Sequence, residues 1–166
     1  YILVTLHRPS NVDDPEDLRS LFEMLGSLTE YHPVIFPVHP RTRKMIDSAR
    51  PPFKSSPAFR MIEPVGYLDF LRMMKSASMV ITDSGGIQEE TTVLGVPCVT
   101  VRENTERPIT IEMGTNVLAG TDPRKVRDAA ARILKEGPGA HGIPPLWDGR
   151  TAQRIADVLE KKFSRR

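Results

Sequence analysis

The chain has 166 residues, 39% of them hydrophobic and 27% charged, with a formal net charge of +2. That length suits one domain with a sizeable core, and the near-neutral charge gives no support for nucleic-acid or membrane binding by bulk electrostatics. Its single cysteine, Cys98, excludes an intrachain disulfide and, lying within the apolar run 96–101, reads as a buried structural thiol. No apolar run reaches transmembrane length and no signal peptide is visible, so a cytoplasmic setting is the expectation. The sequence opens directly on Tyr1, inside an apolar run, as a piece cut from a longer protein would.

Residues 1–6 form a continuous apolar, β-rich run bounded by His7-Arg8-Pro9, which predicts a buried parallel strand. A loop over 7–14 follows, with Asp14 placed to cap a helix that Pro15 opens. Leu18, Leu21, Phe22, Leu25 and Leu28 then repeat at helical spacing to about Tyr31. Residues 34–38 give the second strand, where Pro37 favours a strand end. His39-Pro40-Arg41 leads into a helix over 42–49, and prolines make 50–57 an irregular connection. A third strand spans 59–62, and a helix over 67–77 carries Leu68, Leu71, Met74 and Ala77 on one face. The fourth strand, 79–82, feeds Asp83-Ser84-Gly85-Gly86 and a helix from Gly86 to about Leu94, stopped by Gly95 and Pro97. Beyond it come a strand over 97–101, a charge-dense loop over 102–107, a short helix over 108–113 and a strand over 116–119. Thr121 or Asp122 caps a helix over 123–135, a Gly/Pro-rich loop runs over 137–148, and a terminal helix spans 151–163.

Six short strands alternating with helices call for an α/β fold: a Rossmann-like, doubly wound parallel sheet in the order 3-2-1-4-5-6, forming a single domain over 1–166. Ligands of such sheets bind beyond the carboxyl ends of the strands at the topological switch. The loops 7–11 and 83–86 are therefore expected to face each other there. At the second of these, unpaired N–H groups and the helix dipole stabilise an anion without lysine, and two glycines let a phosphate approach the backbone. Glu90, one turn further on, stands where a ribose diol would reach. The alternative is that Ser84 only caps the helix and the glycines only make a tight turn.

No G-x-G-x-x-G follows the first strand, and no P-loop or G-x-S-x-G elbow occurs. The four histidines lack metal spacing, so no metal is expected. His7, directly after strand one, is placed to donate a hydrogen bond or proton to a leaving oxygen, or else to cap a carbonyl. His39-Pro40-Arg41 repeats the pattern after strand two, farther from the switch. Arg107 is suited to a charge-assisted phosphate contact, or belongs to a solvated charge run.

Taken together, the segments ending in Thr5-Leu6-His7-Arg8, then His39-Pro40, PVGYLDF (64–70), TDSGGIQEE (82–90), LGVP (94–97), Arg102 with TERP (105–108), GTN (114–116) and Asp148-Gly149 resemble the C-terminal half of the non-hydrolysing UDP-N-acetylglucosamine 2-epimerases. The sequence departs at Pro9-Ser10 from the more usual Arg/Ala-Glu-Asn, so no role for an acidic residue there carries over. The resemblance implies one half of a GT-B type two-domain enzyme, with the N-terminal domain absent from this chain. It implies interconversion of UDP-N-acetylglucosamine and UDP-N-acetylmannosamine through UDP elimination to a glycal and re-addition, with no metal and no cofactor. By motif match, Ser84, Gly85 and Gly86 hold the diphosphate, Glu90 the ribose, Val65 and Phe70 the uracil region, and Arg107 the phosphates, while His7 supports the UDP leaving group. Arg8 and His39 match positions that some bacterial members use for an activating second UDP-N-acetylglucosamine. Partners are then UDP and UDP-N-acetylglucosamine, with a homodimer as the full-length assembly. The family's acidic residues for C2 proton removal lie in the absent domain, so the fragment alone is expected to be inactive. Competing readings are the UDP-sugar-binding half of a GT-B glycosyltransferase, a hydrolysing relative releasing N-acetylmannosamine, and a non-enzymatic UDP-sugar sensor.

Overall fold

The computed structural model describes residues 1–49 and 56–164; most of the connection expected over 50–57 lies outside the described residues. Its centre is a six-stranded, all-parallel sheet of β1 (Ile2–Thr5), β2 (Val34–Pro37), β3 (Phe59–Ile62), β4 (Met79–Thr82), β5 (Cys98–Thr100) and β6 (Asn116–Leu118), ordered β3-β2-β1-β4-β5-β6. That is the expected order, with the switch between β1 and β4, whose register pairs Thr5 with Thr82. Pro37 closes β2, where a missing N–H costs least.

Alternation along the central strands divides the core in two. Ile2, Val4, Met79 and Ile81 point to one face, beneath α2 (Pro15–Ser27), α3 (Pro40–Ala49) and α7 (Pro123–Glu136), in a cluster that includes Leu18, Phe22, Leu25, Val126 and Ala130. Leu3 and Val80 point to the other and pack with Met74 of α4 (Tyr67–Ser76), and with Ile87 and Leu94 of α5 (Gly85–Leu94). Strands buried on both faces leave little room for polar side chains, which is why 1–6 and 79–82 show no polar alternation, with Thr5 and Thr82 at the carboxyl ends of β1 and β4 the exceptions. The larger cluster holds Phe22 between Phe36 and Phe59, with ring centroids 6.1 and 5.9 Å away.

The helix ends follow their caps. Asp14 Oδ1 accepts from the N–H of Glu16 (2.8 Å) and Asp17 (3.1 Å), and Asp122 Oδ1 from that of Arg124 (2.9 Å). Of the two capping candidates for α7, Asp122 takes the role, while Thr121 donates its N–H and hydroxyl to Glu103 at 2.9 and 2.8 Å. Gly95 ends α5 in the left-handed region (φ 67°), its N–H returning to the last turn.

The structure departs from the sequence reading in four places. The expected loop 7–14 contains a helical turn, α1 (Pro9–Val12), because Pro9 presets φ at its first position and Asn11 and Val12 are buried. The helix expected to run to Tyr31 tightens after Ser27 into a 3₁₀ turn over Leu28–Glu30. Leu68, assigned to the apolar face of α4, sits in its first turn and is 75% exposed, whereas Met74 is fully buried. The terminal helix α8 (Thr151–Phe163) forms as expected but buries none of its residues, leaving Ile155, Val158, Leu159 and Phe163 exposed. A short α6 (Ile109–Glu112) completes the set, and no helix among the described residues is long and apolar enough to cross a membrane.

Candidate functional site

The carboxyl ends of β1 and β4 lie side by side, and the residue that joins them is Asp83, fully buried directly after β4. Its Oδ2 accepts from the backbone N–H of His7 (3.0 Å) and Arg8 (2.9 Å) and from the Asn11 side-chain amide (3.0 Å). Its Oδ1 lies 3.2 Å from Nδ1 of His7. Asp83's own carbonyl accepts from Arg8 Nε at 2.9 Å, and Asn11 donates again to the Val101 carbonyl at 3.1 Å. A buried carboxylate is tolerable only when its lone pairs are met, and here all its partners come from the loop after β1.

This arrangement fixes the imidazole. A carboxylate only accepts, so a proton on Nδ1 is the one Asp83 favours, and Nε2 faces the space beyond the strand ends, an acceptor in the neutral ring and a donor in the imidazolium. The same logic orients the histidine of a hydrolase triad. His7 keeps 41% of its side chain exposed, so the free edge is accessible. His39 stands beside it with ring centroids 5.6 Å apart, held there by Thr42 Oγ1 on the Leu6 carbonyl (2.8 Å) and Arg41 Nε on Asp13 (3.0 Å).

On the β4 side, Ser84 takes the N-cap position of α5 with extended backbone (φ −86°, ψ 133°), yet its side chain makes no cap hydrogen bond. The turn is set instead by the Ser84 N–H donating to Thr82 Oγ1 at 3.0 Å. Gly85 and Gly86 open the helix, and a Cβ on Gly86 would meet nothing within 4 Å. The protein itself leaves the space against that backbone open. First-turn N–H groups and the positive end of the dipole face it, which is an anion-binding arrangement.

Charged side chains surround the turn. Arg102, only 7% exposed, donates to both carboxylate oxygens of Glu106 at 2.8 and 2.7 Å, and this pairing pulls the Glu106 carboxyl down to about 2. Glu106 in turn lies 3.8 Å from where a Gly85 Cβ would be. Arg107 stands outside, Nε 2.8 Å from Glu89, with both partners about 40% exposed. One turn along α5, Glu90 Oε1 accepts from the Tyr67 hydroxyl at 3.2 Å, while Oε2 is buried and lacks a partner among the described residues. A recess of about 370 Å³ opens beside it, between Tyr67 and Leu71 of α4 and Val93 of α5, with Trp147 across from them.

The structure thus brings together His7, Arg8, His39, Ser84, Gly85 and Gly86 at the switch, with Arg107 and Glu90 along α5. Val65 and Phe70 stand two residues before and three after Tyr67 in the chain, and Phe70 packs into the cluster of Leu3, Met74 and Val80. Three residues escaped the sequence reading. The sequence reading assigned no role to Asp83, Tyr67 or Trp147; only the position of Asp83 at the end of a switch strand signalled it. Among the described residues no group of three or more His, Cys, Asp or Glu side chains is placed to hold a metal ion.

Known proteins resemble this chain over nearly its whole length. A family model described as UDP-N-acetylglucosamine 2-epimerase matches residues 1–160. A Methanococcus maripaludis protein named UDP-N-acetylglucosamine 2-epimerase is 41% identical over 98% of this chain, which spans 45% of that relative. A Pseudomonas aeruginosa UDP-2,3-diacetamido-2,3-dideoxy-D-glucuronate 2-epimerase is 37% identical over 97% of the chain, covering 44% of its own length. The crystal structure of Methanocaldococcus jannaschii UDP-GlcNAc 2-epimerase, in complex with UDP-GlcNAc and UDP, superimposes with a TM-score of 0.85 at 40% identity, over 97% of this chain and 45% of that one. The chain therefore spans a little under half the length of the relatives it matches.

Proposed function

The chain belongs to the UDP-N-acetylglucosamine 2-epimerase family, and from that premise we propose that it is the UDP-binding half of a two-domain enzyme interconverting UDP-N-acetylglucosamine and UDP-N-acetylmannosamine. The observation that carries the proposal is the Asp83 junction, which sets an oriented His7 and the open N-terminus of α5 against one space at the sheet switch. Elimination removes the proton from C2 of the sugar, and the C1–O bond breaks with its electron pair leaving on the diphosphate. The charge developing there is what a helix N-terminus and a guanidinium stabilise more strongly in the transition state than in the ground state. Donation from His7 to the departing phosphate oxygen needs a proton on Nε2 as well as on Nδ1, so the imidazolium, with Nδ1 turned to Asp83, is the form that serves the leaving group. Re-addition reverses the steps, with the proton delivered to the opposite face of C2.

In this reading Ser84, Gly85 and Gly86 take the diphosphate, Arg107 exchanges Glu89 for phosphate, and the unpartnered Oε2 of Glu90 accepts from a ribose hydroxyl. Val65 and Phe70 border the uracil. Arg8 and His39, beside His7, take an activating second nucleotide sugar. The base that removes the C2 proton comes from the other half of the enzyme. The greater length of the relatives and the uncovered apolar stripe of α8 both support a second domain. The names of the relatives share UDP and differ in the sugar, which fits a division in which this half reads the nucleotide. A cytoplasmic setting and a homodimer belong to the proposal on family grounds.

Incubating the full-length protein with UDP-N-acetylglucosamine in deuterated water tests it. The reading expects deuterium at C2 and appearance of the manno epimer. Transfer of the sugar to an acceptor, or release of free N-acetylmannosamine alone, would replace it with a transferase or a hydrolase. Unchanged substrate would overturn the activity.

A further inference from the structure

Gln88 is fully buried in the second turn of α5, where a helix packed on a sheet ordinarily presents an apolar side chain. Burying a primary amide is costly unless its polar atoms are met, and here they are. Nε2 donates to the Ser84 carbonyl at 3.2 Å, at the mouth of the anion turn. Oε1 accepts from the Thr105 hydroxyl at 2.6 Å and from Nδ2 of Asn116 at 3.1 Å.

Both acceptor contacts lead to the same residue. Thr105 Oγ1, while donating to Gln88, accepts the backbone N–H of Arg107 at 2.9 Å. Asn116 Nδ2 also reaches Thr110 Oγ1 at 3.1 Å, and that hydroxyl donates to the Arg107 carbonyl at 2.7 Å. Thr100 closes the set by donating to Asn116 Oδ1 at 2.6 Å, which fixes the Asn116 amide and hence which of its edges faces Gln88. The backbone of Arg107 is thus held at its N–H and its carbonyl by two relays that converge on one amide, whose other end holds the turn.

We propose that Gln88 is a positioning residue for diphosphate recognition: it sets the separation between the Ser84–Gly86 turn and Arg107, so that both meet the same phosphates. The inference rests on the reading of the turn and Arg107 as the diphosphate site. Among side chains of this length that are neutral at neutral pH, glutamine places both an N–H donor and an oxygen able to accept twice at its tip. Methionine fills the volume and breaks the contacts, and a hydrophobic Thr105 breaks one relay without touching Gln88.

The test is calorimetric titration of the chain with UDP and with uridine, which shares the nucleoside and lacks the phosphates. Gln88→Met and Thr105→Val should each weaken UDP roughly tenfold while uridine affinity changes by less than about twofold. Thr105→Ser, which keeps the hydroxyl, should retain UDP affinity. Should Gln88→Met fail to fold, the Thr105 pair still decides, because Thr105 is only half-buried in the loop. If the UDP-to-uridine ratio survives in folded Gln88→Met or Thr105→Val, the network is structural only and the inference falls. A wild-type chain that binds UDP no better than uridine would overturn the diphosphate site itself, and this role with it.

Discussion

Replacing Asp83 with alanine removes the acceptor for three donors at once: the N–H groups of His7 and Arg8 and the Asn11 amide, at 3.0, 2.9 and 3.0 Å. Hydrogen bonds to a charged acceptor contribute about 1.5–3 kcal/mol each, and a buried donor left unmet costs about 1–3 kcal/mol. Two of the three donors are only partly buried and will find water, and Asn11 keeps the Val101 carbonyl. About 1 kcal/mol per donor therefore applies, giving a total near 3 kcal/mol and a drop in Tm of roughly 9 °C for a chain of this size. Asp83→Asn keeps one accepting oxygen and should lose about half as much. Urea unfolding followed by circular dichroism measures both. Because the carboxylate also orients His7, nitrogen chemical shifts of the imidazole should show the Nδ1–H tautomer losing its dominance in either variant. A loss below about 1 kcal/mol in Asp83→Ala, with the His7 tautomer unchanged, would refute the view that this residue joins the two switch loops.

The Arg102–Glu106 pair makes stability depend on acid. Glu106 is held at about 2 in the folded chain against an ordinary 4.5, so its contribution is complete above 4.5 and disappears as pH falls through 2. Acid titration of the wild type and Glu106→Gln should give stability curves that converge between pH 4.5 and 2; curves that stay parallel through that window would contradict the pairing. Gly114→Ala should destabilise by about 1–3 kcal/mol, since its Cβ would clash with Thr92 Oγ1 and lie 2.6 Å from the Thr110 carbonyl. Thermal unfolding checks this, and an unchanged Tm would mean that the α5–α6 junction yields more readily than its packing suggests.

The sheet order was legible because uniformly apolar runs such as 1–6 and 79–82 admit only strands buried on both faces, and their alternation with helices leaves few topologies. The turn from β4 into α5 was legible too, since a strand, two glycines and a helix follow each other in sequence. In strand order His39 stands farther from the switch, yet the turn into α3 sets its ring centroid 5.6 Å from that of His7. What stayed hidden was made by distant pieces. Asp83 meets donors some seventy-five residues earlier in the chain, and no local pattern announces that. Gln88, between Ile87 and Glu89, carries no sign of being buried until β6 and the 105–107 loop are placed against it. The four-residue α1 is barely one helical turn long, too short for any period to repeat, so Pro9 alone hinted at it. Leu68 had the right spacing but sits at the exposed mouth of α4, where position in the helix overrides periodicity.

The account stands most directly on whether this chain recognises uridine diphosphate. Calorimetric titration with UDP, with ADP as the control and Glu90→Ala as the variant, decides it. The account predicts UDP heat exceeding that of ADP, with affinity falling about tenfold when Glu90 is lost, the equivalent of about 1.4 kcal/mol. Equal binding of UDP and ADP, or binding indifferent to Glu90, would contradict it.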